Sequence, residues 1–447
     1  FFQAEDGIRD FCLSRGLGDV YKRQFKTLSY EPPECLGAYV ISMTASASDI
    51  LSVSFLQKEA NIKYKLRVVP LFETLDDLIN SKSIMQTLFS QKWYRKLIQN
   101  KQEVMIGYSD SGKDAGKMCA SWHQYKAQEE IVKLAKKFNI EVVFFHGRGG
   151  SAGRGGGPIQ ATLRSLPPNS VNGKIRITDQ GEVIQQKYGY EPLAKYNLCS
   201  YIGAVTEATL NPPPTPKNNW RDLTEKMSDI AKSSYRKNIN QSSDFIKYFK
   251  IVTPHVALGK LSIGSRPSKR KNVDNIKSLR AIPWVFAWTQ VRLMLPAWLG
   301  STEALRYAYH ERSRKTLFDM EKNWPFFNAM LDMLDMVISK VDPDISKIYE
   351  EFLADASLKR VGKKLRFQFD VIKKLNKKIT PKEIAVIRKP FRSPIIVRNI
   401  YSEVLNIIQP VVIKKLKINK NPKNKQYLND ALLTSIAGIS AAMKNTG

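Results

Sequence analysis

The chain has 447 residues, of which 43% are hydrophobic and 25% charged, so it can bury a sizeable core and is not a disordered tail. Its formal net charge of +30 would suit a protein that binds nucleic acid or an anionic membrane. The lysines are spread along helical stretches and not gathered in one block, so the charge alone identifies no partner.

The first 24 residues show neither helical nor strand periodicity. They resemble translated sequencing-adapter read-through, and we predict that residues 1–24 are a non-native or disordered leader outside the fold. The alternative is a genuine flexible arm. The remainder is expected to divide into a β/α portion over residues 25–322 and a C-terminal helical region over residues 323–447.

Short apolar runs that read as buried strands recur at intervals of roughly 30 to 40 residues. Amphipathic stretches long enough to be crossover helices lie between most of them, as at Asp114–Phe138. This repetition predicts an α/β fold with a parallel sheet or a barrel. The predicted strands are Ala38–Met43, Leu66–Phe72, Val104–Tyr108, Glu141–Phe145 and Lys174–Thr178.

Polar or charged residues follow each of the last four predicted strands. They are Glu73, Asp110 beside a serine, His146 with Arg148, and Asp179. In a β/α barrel the loops after the strands share one face, and that face carries the chemistry. We therefore expect these side chains to converge.

A glycine-rich segment, FHGRGGSAGRGGGP, follows the fourth predicted strand. Glycines let backbone N–H groups approach an anion, and Arg148 and Arg154 offer planar forks that match phosphate or carboxylate oxygens. The segment predicts an anionic substrate, with a flexible linker as the alternative. His146 between the strand and these arginines is a candidate acid or base, or else a hydrogen-bonded barrel residue.

Glu73 and Asp110 each follow a strand, so their carboxylates could meet on one face and hold Mg²⁺ or Mn²⁺. Taken singly, either residue is more often a helix cap or a surface charge, and Asp110 stands just before a predicted helix. Lys113 in the same loop could neutralise an anion or stay solvated.

The longest apolar stretch, Ala281–Leu299, is interrupted by Arg292, Gln290 and two prolines, which are costly in a lipid-facing helix. It is predicted to be core and not a membrane span. Arg266 and Arg280 lie in or beside the basic loop that precedes it. Either arginine could bind an anion, stack on a nucleic-acid base, or extend from a packed helix to place its charge in solvent. The spacing does not distinguish these uses.

The cysteines are scattered, with no CxxC spacing, so the sequence predicts neither a zinc site nor a disulfide framework. A reducing cytoplasm is therefore the expected location. The four cysteines are Cys12, Cys35, Cys119 and Cys199.

From Tyr30 to Gly447 the chain resembles the C-terminal half of phosphoenolpyruvate carboxylases. The glycine-rich string is the most specific motif, and the others occur in the family's order. The motifs are GAYVISM, PLFETLDDL, GYSDSGKDAG, FHGRGGSAGRGGGP, GSRP, LRAIPWVFAWTQVRLMLPAWLG and the final NTG.

The resemblance implies an incomplete (β/α)8 TIM-type barrel with a large additional C-terminal helical region. It also implies a role for each matching residue. Glu73 and Asp110 match the metal carboxylates. The other matches are Arg148, Arg266 and Arg280 for phosphate and substrate, His146, Arg154 and Lys113 for catalysis, and Arg154, Lys340, Arg398 and Asn445 for an inhibitor.

The implied reaction converts phosphoenolpyruvate and bicarbonate to oxaloacetate and phosphate, with Mg²⁺ or Mn²⁺ as cofactor. The resemblance further implies inhibition by aspartate or malate, a cytoplasmic homotetramer, and neither nucleic acid nor a membrane as partner. Two alternatives stay open: another metal-dependent barrel enzyme acting on an enolate or phosphate, and a basic nucleic-acid-binding module.

Several features depart from the family's pattern. Gly112 stands where alanine is usual and Asp179 where glutamate is usual, and the basic loop at Lys269–Ile276 lacks the glycines of the family's mobile lid. The N-terminal half of the family, with a catalytic histidine and early barrel strands, is missing. We therefore expect this polypeptide to be inactive alone.

Overall fold

The computed structural model describes residues 15–147, 159–179, 181–240, 243–259, 280–380 and 382–443. Within these residues, five parallel strands form a curled sheet in which sequence order is also spatial order. All five predicted strands are confirmed, with ends that shift by a few residues. The strands are β1 (Ala38–Ile41), β2 (Arg67–Phe72), β3 (Lys101–Gly107), β4 (Glu141–Gly147) and β5 (Arg176–Ile177).

Both faces of the sheet are buried, which explains why the strands read as continuous apolar runs. Alternate residues belong to different clusters because side chains alternate across a strand. Ile106 and Phe72 pack with the helices on one face, whereas Met105 and Leu71 join a smaller cluster on the other face.

Helices connect the strands on the first of these faces. The first six are α1 (Arg15–Leu28), α2 (Ala47–Glu59), α3 (Leu75–Ser90), α4 (Lys92–Leu97), α5 (Ser109–Ala115) and α6 (Lys117–Lys137). Three more flank β5: α7 (Ile159–Arg164), α8 (Gly181–Tyr188) and α9 (Glu191–Leu210).

The helix predicted over Asp114–Phe138 is interrupted, and α5 and α6 meet at Gly116. Gly116 has φ +79°, and a Cβ there would lie 3.1 Å from the ring of Tyr235. Only glycine adopts this backbone conformation without strain and leaves room for the ring. The interruption turns the chain after β3 and positions α5 at the end of that strand.

A helical region follows α9, and its core also includes Met118, Trp122 and Tyr125 of α6. Its helices are α10 (Asn218–Asn240), α11 (Ser243–Val252), α12 (His255–Leu258), α13 (Ala281–Gln290), α14 (Ser301–Ala308), α15 (Glu311–Asn323), α16 (Pro325–Ile338), α17 (Pro343–Leu353), α18 (Ala356–Ile379), α19 (Lys382–Ile418) and α20 (Pro422–Ala442).

The stretch Ala281–Leu299 lies in this core, as predicted. Trp284, Trp288 and Trp298 are fully buried there. In the part of the chain that the structure describes, no helix combines the length and apolar character needed to cross a bilayer.

Helix α1 crosses the predicted leader boundary at residue 24. Tyr21 and Phe25 on this helix are buried, and Phe25 stacks on Tyr39 of β1 with ring centroids 5.0 Å apart. The expectation of no regular structure before residue 24 was therefore wrong for the part that begins at Arg15. Its non-native origin stays a prediction.

Candidate active site

The carboxyl ends of β2, β3 and β4 lie side by side. Phe72 pairs with Ile106, and Ile106 pairs with His146. Glu73 directly follows Phe72, and Asp110 follows β3 in the first turn of α5. The structure therefore places Glu73, Asp110 and His146 at the same end of the sheet, and His146 lies within β4 and not after it. Convergence of their side chains stays a prediction.

Close backbone packing positions Glu73, whose side chain is buried. A Cβ on Gly107 would lie 2.9 Å from the Cα of Glu73 and 3.1 Å from the carbonyl oxygen of Phe72, so glycine permits this approach. The N–H of Glu73 donates to Asp77 Oδ2 at 3.2 Å, in the capping box that begins α3. Both contacts fix the backbone beside the candidate metal ligand.

A buried glutamine holds the turn after β3. Gln124 Nε2 on α6 donates to the carbonyl oxygen of Gly107 at 3.0 Å and to Ser111 Oγ at 2.9 Å. Asp110 and Lys113 lie half-buried on the short helix that this turn begins. The carbonyl oxygen of Lys113 accepts a hydrogen bond from Tyr235 at 2.9 Å, which ties α5 to α10.

His146 has a tyrosine partner. The hydroxyl of Tyr108, the residue after β3, lies 2.8 Å from His146 Nδ1, and both side chains are buried. The ammonium of Lys117 lies 5.8 Å from the centroid of the Tyr108 ring. Sequence reasoning missed Tyr108, although it stands in the GYSDSGKDAG motif two residues before the predicted metal ligand Asp110.

The donor set at this edge fits a hard divalent cation. Among the described residues, no three His, Cys, Asp or Glu side chains are grouped so as to hold a metal ion. Two carboxylates at neighbouring strand ends nevertheless match Mg²⁺, which usually binds one or two carboxylates and keeps several water or substrate oxygens. Glu73 and Asp110 are therefore the candidate protein ligands.

Replacing either of two glycines near this edge by alanine is expected to change stability differently. We expect Gly107→Ala to lower the free energy of unfolding by about 1–3 kcal/mol, because a methyl group would push against the backbone of β2. Gly112→Ala should be neutral or stabilising by up to about 1 kcal/mol, since nothing lies within 4 Å of a Cβ there and α5 is helical. Urea denaturation of the two variants tests this, and equal effects would contradict it.

Of the arginines predicted to bind substrate or assist catalysis, Arg280 is the one that lies among the described residues. Arg280 is half-buried at the N-cap of α13, and its carbonyl oxygen accepts from the N–H of Trp284 at 3.2 Å. Asp179 follows β5 at the same end of the sheet, where it accepts hydrogen bonds from Lys187 and Tyr188 of α8. The other predictions, on Arg148, Arg154, Arg266, Asn445 and the loop Lys269–Ile276, concern residues outside those that the structure describes.

A second basic group lies in the helical region. Lys340 is buried and its ammonium donates to the carbonyl oxygen of Met443 at 2.9 Å. Burial lowers the pKa of Arg398 on α19. Both residues are candidate inhibitor ligands, and a third arginine contacts the segments that carry them.

Arg292 joins the segments that carry these two residues. It is fully buried in a left-handed turn after α13, with φ +56°. Its Nε donates to the carbonyl oxygen of Lys340 at 3.0 Å, and its Nη2 donates to Asn399 Oδ1 at 3.0 Å. In the sequence, Arg292 is a charged residue inside an apolar stretch, and this observation argued only against a membrane span.

Comparisons with known proteins agree on one family. A sequence model of the family "Phosphoenolpyruvate carboxylase" matches residues 21–447. The chain is 47% identical over 436 residues to a phosphoenolpyruvate carboxylase of Acinetobacter baylyi, and 45% identical over 423 residues to those of Hahella chejuensis and Shewanella loihica. In each case the match covers 94% of this chain and 48% of the relative.

Proposed function

The chain belongs to the phosphoenolpyruvate carboxylase family, and we propose that it is the C-terminal half of an enzyme that forms oxaloacetate and phosphate from phosphoenolpyruvate and bicarbonate. It spans about half the length of the relatives it matches. The observation that carries the proposal is the gathering of Glu73, Asp110 and His146 at one edge of a parallel sheet. We further propose that this sheet is part of a TIM-type barrel, whose active site lies at that end.

In this proposal Glu73 and Asp110 hold Mg²⁺ or Mn²⁺ through carboxylate oxygens. When bound, the metal ion would supply positive charge against the oxygens of an anionic substrate. Lys113, on the helix that carries Asp110, adds a second positive charge near the same position.

The remaining proposed site residues bind and orient the substrates. Arg148, Arg266 and Arg280 bind the phosphate and carboxylate groups, and their planar forks spread the charge of the transferring phosphoryl group. His146 and Arg154 hold bicarbonate for attack on phosphorus, which breaks the P–O bond to the enolate and forms carboxyphosphate. Carboxyphosphate then splits into phosphate and CO₂ beside the enolate. Exclusion of water from the pocket would protect the enolate carbon from protonation until CO₂ captures it.

The basic group in the helical region is proposed to bind aspartate or malate. Lys340, Arg398 and Asn445 would bind the inhibitor together with Arg154, and withdrawal of Arg154 from the active site would stop turnover. We also propose a cytoplasmic homotetramer for the complete protein, with neither nucleic acid nor a membrane as partner, and no activity from this chain alone.

Metal binding tests the central part of the proposal. Electron paramagnetic resonance of free Mn²⁺ should show one site on the 447-residue chain, with affinity at least about 10-fold weaker in Glu73→Gln and in Asp110→Asn. Asp76→Asn is the matched control, because Asp76 is an exposed carboxylate in the first turn of α3. Unchanged affinity in both site variants, or equal loss in the control, would contradict the proposal.

A further inference from the structure

We propose that Gln124 is a positioning residue for the candidate metal site: its side-chain amide holds the turn that carries Asp110 against the end of β3, beside Glu73. The assignment of Asp110 and Glu73 as metal ligands rests on the proposed function. The contacts that the amide makes do not depend on that function.

The amide of Gln124 uses both of its hydrogens at this turn. Gln124 is buried on α6, and its Nε2 donates to the carbonyl oxygen of Gly107 at 3.0 Å and to Ser111 Oγ at 2.9 Å. A carbonyl oxygen only accepts hydrogen bonds, so the amide nitrogen, and not the amide oxygen, must face Gly107. The orientation of the amide therefore follows from its partners.

The two acceptors lie on either side of Asp110. Gly107 is the last residue of β3, and Ser111 directly follows Asp110 in α5. Ser111 is itself fully buried, and its hydroxyl oxygen lies 3.3 Å from the carbonyl oxygen of Gly107, which accepts from it. The amide, the hydroxyl and the carbonyl thus form one closed group of hydrogen bonds, which fixes the backbone before and after Asp110.

Gly107 extends the effect of these hydrogen bonds to Glu73. A Cβ on Gly107 would lie 2.9 Å from the Cα of Glu73, so the two backbones are in close contact. Helix α5 is not a continuation of α6, because the two helices are separated at Gly116. The position of Asp110 relative to Glu73 therefore depends on side-chain contacts between the two helices, and the amide of Gln124 is such a contact.

Electron paramagnetic resonance of Mn²⁺ with the 447-residue chain tests the inference. Gln124→Met keeps a side chain of similar size but removes the donor, and Mn²⁺ affinity should fall about 10-fold, as is typical when a partner that orients a metal ligand is lost. No loss of affinity in this variant would overturn the proposal.

Gln128→Met is the matched control. Gln128 is also buried on α6, but its Nε2 donates to the backbone carbonyl oxygen of Gln124 at 2.9 Å, within the helix. Both variants remove a buried amide, so both should be less stable to urea, whereas Mn²⁺ affinity should stay unchanged in Gln128→Met. Equal loss of affinity in the two variants would reduce Gln124 to a structural role and refute the proposal.

Ser111→Ala supplies a second variant in case Gln124→Met does not fold. It removes one of the two acceptors and leaves Gln124 in place, so Mn²⁺ affinity should fall by a smaller factor. Unchanged affinity in Ser111→Ala would show that this contact does not position the site and would count against the proposal.

Hydrogen exchange separates this inference from the proposed function, because it needs no metal ion. Backbone amides of residues 107–115 should exchange faster in Gln124→Met than in the unmodified chain, and at the unmodified rate in Gln128→Met. Unchanged exchange in Gln124→Met would overturn the inference. Failure of the unmodified chain to bind Mn²⁺ would instead end the proposed metal site.

Discussion

Replacing Arg221 by methionine is expected to lower the free energy of unfolding by about 3 kcal/mol at neutral pH. Glu129 on α6 is only 5% exposed, and Arg221 on α10 donates to both of its carboxylate oxygens, one of them at 2.9 Å. The variant would leave this carboxylate with Lys133, whose side chain is 59% exposed. This loss lies at the lower end of the range for removing one partner of a buried ion pair, because the side chain of Arg221 is itself 26% exposed.

The same pair predicts a dependence on pH. Burial raises the pKa of Glu129, but hydrogen bonds from Arg221 and Lys133 outweigh it and leave the pKa below its ordinary value of 4.5. A carboxyl with a lowered pKa in the folded state stabilises the protein above its unfolded pKa, and this contribution is lost as the pH falls through the folded pKa. The Arg221→Met effect should therefore be full at pH 7 and shrink below about pH 4.5.

Urea denaturation at several pH values measures both effects. Lys347→Met is the matched control, because Lys347 and its partner Glu351 are both exposed on the surface of α17. The Nζ of Lys347 lies 3.8 Å from Oε1 of Glu351. We expect this control to change stability by no more than about 0.5 kcal/mol. A similar small, pH-independent change in Arg221→Met would show that the buried pair contributes little.

Gly362→Ala is expected to destabilise the protein by about 2–3 kcal/mol. Gly362 lies on α18, and a Cβ there would collide with the carboxylate of Glu350 on α17. That carboxylate is buried and accepts hydrogen bonds from Arg366 and from the hydroxyl of Tyr248, the latter at 2.8 Å. Relief of the collision would break these bonds, which outweighs the roughly 1 kcal/mol that alanine gains in a helix.

Gly203→Ala is the control for this substitution. Gly203 is also in the interior of a long helix, α9, but nothing lies within 4 Å of a Cβ built on it. The control should be stabilised by up to about 1 kcal/mol, so thermal or urea unfolding should move in opposite directions for the two variants. A stabilised Gly362→Ala would mean that Glu350 relaxes without losing its partners.

The sheet could be predicted from sequence because its strands are buried on both faces and separated by helical crossovers. The interruption at Gly116 could not, since its cause is the ring of Tyr235, which is distant in the chain. The placement of Glu73, Asp110 and His146 at one end of the sheet followed from a general rule about parallel strands. The partners of Arg292 and His146 could not be predicted, because they depend on side-chain contacts between separate elements.

The roles of Arg148, Arg154, Arg266 and Asn445 stay predictions, since they rest on the motif alone. Their case differs from that of Lys340, whose burial and contact with Met443 are known although its ligand is not. Spacing in a glycine-rich segment indicates what it could bind. It does not give the backbone conformation, because glycine adopts so many.

The outermost strands of the described sheet are very short, with four residues in β1 and two in β5. Each margin therefore presents few amide and carbonyl groups to which a strand from another molecule could add. Long unpaired margins on a five-stranded parallel sheet would favour pairing with strands of other molecules, as in fibrils. The brevity of β1 and β5 limits such pairing at the two margins of the described sheet.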